Sequence, residues 1–239
     1  MVLRDWGTMI HKEILESFGH RRFLTVFALA ALLTGVLPVL SLAHAHAHAL
    51  GGNLTLFRAI YVLLAAVIVV AQTAPDLVLH ERVGHTLDYV LTTRLPDGAI
   101  FGAKLVVAAA SGYAAALLAL AVQLVLTALV GHSGWSWLFL ALPMGRVAVF
   151  GITAGLSVYL AVVGTFVALR IGEQRTAYMA TMLSVGVIIA PFALGWLTLT
   201  LTTSWISQAA VVFGAVAVVL AFVGLSLLRR ERVVLYLQE

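Results

Sequence analysis

Few side chains in this chain could do chemistry, and their spacing can be checked one by one. His44, His46 and His48 alternate with alanines, and His132 lies in another segment of the same outer face. Alternate residues align on one side of an extended strand, and His44 with His48 on one side of a helix. Zinc takes three or four such ligands in a tetrahedron. With no cysteine in the chain and no carboxylate on the outer face to complete a site, a polar outer turn describes these histidines better than a metal site. Ser157 is a candidate nucleophile, but such a serine needs a base within hydrogen-bond reach. The last histidine is His132, at an outer end, so Ser157 reads as a helix hydroxyl bonded back to its own backbone. A phosphate-binding loop needs a lysine preceded by glycine and followed by serine or threonine. Lys12 sits between His11 and Glu13, and Lys104 between Ala103 and Leu105, so neither fits. Neither catalysis nor nucleotide binding is expected of this chain.

Composition says what must position these residues. The 239 residues are 62% hydrophobic and 10% charged, whereas soluble domains carry about 25% charged residues. With a mean hydropathy of +1.08, the expectation is an all-α membrane protein. The basic balance does not imply nucleic acid, because lysines and arginines are scattered between apolar runs rather than gathered in a patch. A bilayer core takes about 20 apolar residues in helical form, and six segments qualify: Phe23–Leu42, Leu54–Ala74, Leu105–Val130, Val147–Leu169, Thr176–Trp196 and Ile206–Leu228. Ala43-His44-Ala45 resembles a signal cleavage site, but the first apolar run is longer than the usual core of about 7–15 residues, so it reads as a retained span. Arg58 falls inside the second span, near an end from which it can snorkel to the headgroups. The stretch 191–205 stays apolar and leaves open a tight outer turn or a re-entrant dip.

Charge orients the bundle. Of 14 lysines and arginines, all but Arg58 and Arg146 lie on one set of alternate loops, together with all 10 carboxylates. The positive-inside rule then makes both termini and the 76–104 segment cytoplasmic. Residues 1–22 form a separate amphipathic piece: Ile10, Ile14 and Phe18 share one helical face, Lys12, Glu13 and Glu16 lie largely elsewhere, and Arg21 and Arg22 meet the headgroups. This reads as a helix lying in the membrane interface, ahead of a six-span domain over 23–239. Gly151 and Gly155 form a small-xxx-small pair suited to helix packing.

The richest polar stretch is 76–104. On a helix, Leu79, Val83, Leu87, Val90 and Leu91 make one apolar stripe with Glu81, His85 and Asp88 facing away. Pro96-Asp97-Gly98 breaks it, and Lys104 stands where the next span starts. The pattern Glu81-Arg82-x-x-x-Thr86-Leu87-Asp88-x-x-Leu91, followed by Thr93-Arg94-Leu95 and Gly102-x-Lys104, resembles the signature of ABC-2-type permeases, the membrane subunits of a class of ATP-binding-cassette exporters. Their version runs approximately Glu-Arg-Glu-x-Gly-Thr-Leu-Glu-x-Leu-Leu, then a proline turn and Gly-Lys. Here His85 stands at the glycine before Thr-Leu, with Gly84 one place earlier, while Val83 and Asp88 replace glutamates. Haem-exporter permeases of cytochrome c maturation are a related possibility.

The resemblance implies a half-transporter in the cytoplasmic membrane of a prokaryote. A homodimer, or a pair with a closely related second permease, would form the path. Two copies of a separate ATPase, holding ATP and magnesium, would drive it through Glu81, Arg82, Gly84, Thr86, Leu87, Asp88 and Leu91. The expected spans hold no acid and no lysine, which argues against ion-coupled secondary transport and suits lipid-like, amphipathic, drug or peptide cargo. A structural membrane subunit is the other non-enzymatic alternative.

Overall fold

The computed structural model describes residues 2–19, 21–44, 53–84, 97–129, 147–171, 173–197 and 219. All regular structure among them is helical: α1 (Val2–Gly19), α2 (Arg21–His44), α3 (Asn53–Val83), α4 (Asp97–Leu129), a π turn (Val147–Ile152), α5 (Thr153–Arg170) and α6 (Gln174–Leu197). Four of these are long and apolar enough to cross a membrane, over Arg21–Leu40, Arg58–Arg82, Ala99–Leu129 and Phe150–Arg170. The expected fifth span falls on α6, which continues through Pro191 to Leu197. The expected sixth, and the outer residues 198–205, lie outside the described residues.

The expected helix boundaries move where charge and proline stand. The second span and the polar helix after it were expected to be separate, but α3 runs unbroken through Pro75 to Val83. Residues 79–83 are therefore its last turn. Proline removes one backbone donor and crowds the preceding turn, and here α5 packs against that point: a Cβ on Gly164 would lie 2.9 Å from Ala74 Cβ and 3.3 Å from Pro75 Cδ. α4 begins at Asp97, so Lys104 is not a boundary residue but lies inside the helix. With 31 and 33 residues, α3 and α4 are each about 45–50 Å long at 1.5 Å per residue. That exceeds the roughly 30 Å hydrocarbon core.

Successive helices alternate in direction. α3 and α4 are antiparallel, paired at Arg58 with Thr127, Thr73 with Ser111, and Glu81 with Lys104. α5 runs parallel to α3, since Gly164 meets Ala74 and Arg82 donates to the Leu169 carbonyl at 3.2 Å. One end of the bundle therefore gathers the start of α2, the end of α3, the start of α4, the end of α5 and the start of α6.

The core lies between α3, α4, α5 and α6, where Val67, Val70, Ala74, Leu105, Ala108, Leu156 and Leu160 pack together. Lipid tails are as apolar as leucine, so small residues that let backbones approach carry association in a bilayer. Gly112 is the tightest case: a Cβ there would lie 2.0 Å from Val70 Cγ2 and 3.1 Å from the Ala66 carbonyl oxygen. Gly35 does the same for α2 against Val122 of α4. The expected pair divides, with Gly155 buried and Gly151 exposed in the π turn. The close approaches fall instead on Gly35, Gly112 and Gly164. α2 is the least enclosed of the four span-length helices, and it turns Leu29, Leu32, Leu33 and Leu40 outward.

Gly112→Val should lower the melting midpoint in detergent by the equivalent of about 1–3 kcal/mol, as overpacking does. Gly186→Ala, which meets nothing within 4 Å, should be neutral or stabilise by up to about 1 kcal/mol through helix propensity.

Candidate functional site

Two carboxylates and a lysine come together inside the end of the bundle where α1 docks. Lys104 is 1% exposed. Its Nζ donates to Glu13 Oε1 at 3.0 Å and to the Leu77 carbonyl at 2.9 Å, and lies 3.1 Å from Glu81 Oε2. Two of the three N–H groups of the ammonium are thus hydrogen-bonded, and the Glu81 carboxylate adds a counter-charge at ion-pair distance. Lys12 adds a second cation from the rim, 3.0 Å from Glu81 Oε1, 3.6 Å from Glu16 and 3.9 Å from Glu13. Glu13 and Glu81 are buried, whereas Lys12 and Glu16 are partly exposed.

Local sequence explains how the pieces arrive. Trp6, Met9 and Glu13 recur at helical spacing on one face of α1. Met9 and Ile10 pack on Ile100 and Ala103 of α4. The Trp6 ring occupies the notch left by Gly102, where a Cβ would lie 2.2 Å from its Cη2 atom. One turn of α4 thus offers a cavity for an indole and a counter-ion for a carboxylate. α1 is seated against the bundle by this face, while Ile14, Leu15 and Phe18 remain exposed. Phe18 then meets Phe23 of α2 edge to face at 5.0 Å.

Electrostatics differ across the cluster. Burial pushes the Glu13 carboxyl above its ordinary 4.5, outweighing the pull of Lys104. Burial acts to lower Lys12, but its hydrogen bond to Glu81 and the fields of Glu81, Glu13 and Glu16 raise it overall. Removing charges from water costs several kcal/mol per ion, so such clusters fix geometry more than they add stability, and breaking one partner is expensive.

The expected site residues separate. Glu81 is enclosed in the cluster, Arg82 is half-buried against the end of α5, and Gly84 donates its N–H to the His80 carbonyl at 3.0 Å. Thr86, Leu87, Asp88 and Leu91 lie outside the described residues. Among the interfacial candidates Ile10 is partly buried, Ile14 and Phe18 are exposed, and Arg21 and Arg22 are exposed at the start of α2. His44 ends α2, and His46, His48 and His132 fall outside the described residues.

Glu81 and Lys104 stand on span-length helices, beyond the expected bounds Leu54–Ala74 and Leu105–Val130, and each lies at ion-pair distance from the other. One expectation is corrected. Arg58 does not snorkel outward: it is 3% exposed and donates to Thr127 Oγ1 at 3.1 Å. Sequence reasoning placed Glu13 off the membrane-facing side and missed it as a docking residue. The available signal was the heptad spacing of Trp6 and Glu13 beside Gly102-x-Lys104. Glu13, Glu16 and Glu81 place carboxylate oxygens within 4.8 Å of one another, but Lys12 and Lys104 already fill the space between them. No known protein family matches this chain, and no curated protein is similar to it.

Lys104→Met should destabilise the protein by about 3–5 kcal/mol, as for a buried pair that loses one partner. Glu13→Gln keeps an acceptor and should be mild. Because the folded Glu13 carboxyl lies above 4.5, the folded form binds the extra proton. Its contribution is fully present below 4.5 and is lost as pH rises through the raised value. Melting curves of wild type and Glu13→Gln should therefore converge as pH falls through that window and separate above it, with Gln at least as stable.

Proposed function

We propose that this chain is the membrane subunit of an ATP-binding-cassette exporter of the ABC-2 type. It would work as a dimer with two copies of a separate ATPase that carries ATP and magnesium. The observation that carries the reading is the buried Glu13–Lys104–Glu81 cluster at the foot of the 85–96 connection. It ties α1, α3 and α4 into one body at the place where the signature-like residues emerge. A push on that connection would be handed to α3 and α4 together, as rigid-body transmission requires. In this reading Thr86, Leu87, Asp88 and Leu91 meet the ATPase, and Glu81 and Arg82 hold the helix that presents them.

The charge bias supports a cytoplasmic location for that end and for both termini. The described core offers hydroxyls of Thr73, Ser111, Ser157 and Thr165, all bonded to their own helices. That favours lipid-like, amphipathic, drug or peptide cargo over ions. The buried carboxylates also favour a second reading, a proton-coupled carrier, in which Glu13 or Glu81 would exchange a proton during transport.

Leu87→Asp should abolish co-purification of an ATP-hydrolysing subunit from native membranes in mild detergent while leaving the melting midpoint unchanged. An ATPase retained at wild-type levels, or transport driven by a pH gradient without ATP, would reject the exporter reading.

A further inference from the structure

Between α1, the start of α2 and the last turns of α3 lies an open-sided cleft of about 300 Å³. Glu13, Glu16 and Ser17 of α1 form one wall, Arg22 and Phe23 of α2 another, and Asp76 and Leu77 of α3 the third. Three buried oxygens on this lining have no hydrogen-bond partner among the described residues: Glu81 Oε2, which is ion-paired with Lys104, and Glu13 Oε2 and Ser17 Oγ, one helical turn apart. Glu13 itself is 0% exposed. Buried acceptors of this kind are costly unless something supplies N–H or O–H groups.

The charges say what kind of donor fits. Four carboxylates line the cleft, Glu13, Glu16, Asp76 and Glu81, against Arg22. Even with Lys12 and Lys104 behind them the wall stays negative. A divalent metal is disfavoured, because the Lys12 and Lys104 ammoniums already stand 3.0 Å from Glu81 and Glu13. A primary ammonium suits the remaining acceptors, since it carries three donors, whereas a quaternary one carries none. Arg22, on the neighbouring wall, is the group that recognises phosphate. Phe23 and Leu77 supply apolar surface, and the exposed Ile14, Leu15 and Phe18 of α1 mark the side at which a bilayer meets the helix.

We propose that this cleft seats the headgroup of an ethanolamine phospholipid, with the ammonium on Glu13 Oε2, Ser17 and Glu16 and the phosphate on Arg22. The site stands independently of the transport reading, because its test reads lipid binding rather than transport or ATPase association. It also gives α1 a second anchor: the lipid would hold the helix from the bilayer side while Lys104 holds it from the bundle.

The experiment uses the full chain in anionic nanodiscs doped with ethanolamine or choline lipid of identical acyl chains. Retained lipid is read by native mass spectrometry and stability by the melting midpoint. The ethanolamine lipid should be retained preferentially and should raise the midpoint. Glu16→Gln and Glu13→Gln should each weaken that preference by about tenfold, the scale of one hydrogen bond to a charged group. Ser17→Ala, which removes a hydroxyl with no partner among the described residues, should reduce it without lowering the midpoint in choline lipid, and this variant serves if Glu13→Gln does not fold. Arg22→Gln should lower retention of both lipids. Equal retention of the two lipids overturns the proposal. So does binding of soluble phosphoethanolamine as tight as that of the lipid, or stabilisation by magnesium or calcium alone that a chelator removes.

Discussion

An ammonium ion enclosed at the end of a helical bundle must find acceptors and counter-charge, and Lys104 finds both on two other helices. Glu13 comes from α1, and Glu81 and the Leu77 carbonyl from α3. Neither carboxylate is tolerable there as an anion without a lysine, and the Lys104 ammonium is not tolerable without an ionised carboxylate beside it. The consequence is positional rather than energetic. α1 carries no span of its own and could lie anywhere along the interface, yet it is registered against α4 by one ion pair and by an indole seated over Gly102. The continuation of α3 past Pro75 follows from the same requirement, because Glu81 reaches Lys104 only if the helix persists to its last turn.

Much of the bundle was legible in the sequence. Apolar runs of span length placed α2, α3, α4, α5 and α6. Helix ends were less legible, since a hydropathy reading stops at the first charge. It cannot know that Lys104 and Glu81 neutralise each other across 23 positions, or that Glu13 and Lys104 do so with |i−j| = 91. For α1 the apolar periodicity of Ile10, Ile14 and Phe18 is real, but those residues are only partly covered. The face that docks contains a glutamate, which any amphipathicity argument assigns to water. Glycines behave similarly. Gly151 and Gly155 stand out as a pair in sequence, whereas Gly35, Gly112 and Gly164 matter for what they face, and that is a long-range fact.

The two ends of the bundle are held by different physics. At one end full charges are buried together. Toward the other, Arg58 donates to Thr127, Thr127 donates to the Gln123 carbonyl, and Gln123 donates to the Thr34 carbonyl. The acceptors named in this chain are neutral, so these bonds are weaker than those between two full charges. In a low-dielectric interior the charged end is the more demanding of geometry, since a small displacement leaves an ion exposed to hydrocarbon rather than to a substitute dipole.

Between those ends, most hydroxyls give the helices little to hold on to each other with. Thr34, Ser157, Thr165 and Thr181 each bond to the carbonyl four residues back, which satisfies the donor inside its own helix. The Thr73–Ser111 contact at 3.3 Å is an exception. Cohesion in the middle therefore rests on backbone proximity at glycine and alanine. Packing of that kind is sensitive to volume and indifferent to charge. Such a bundle is specified by polar partners at its ends and by close backbone approach along its length. At Gly112 the close approach is to the Val70 side chain and the Ala66 carbonyl, and at Gly164 to Ala74 and Pro75, so added volume at either position has to displace a neighbouring helix.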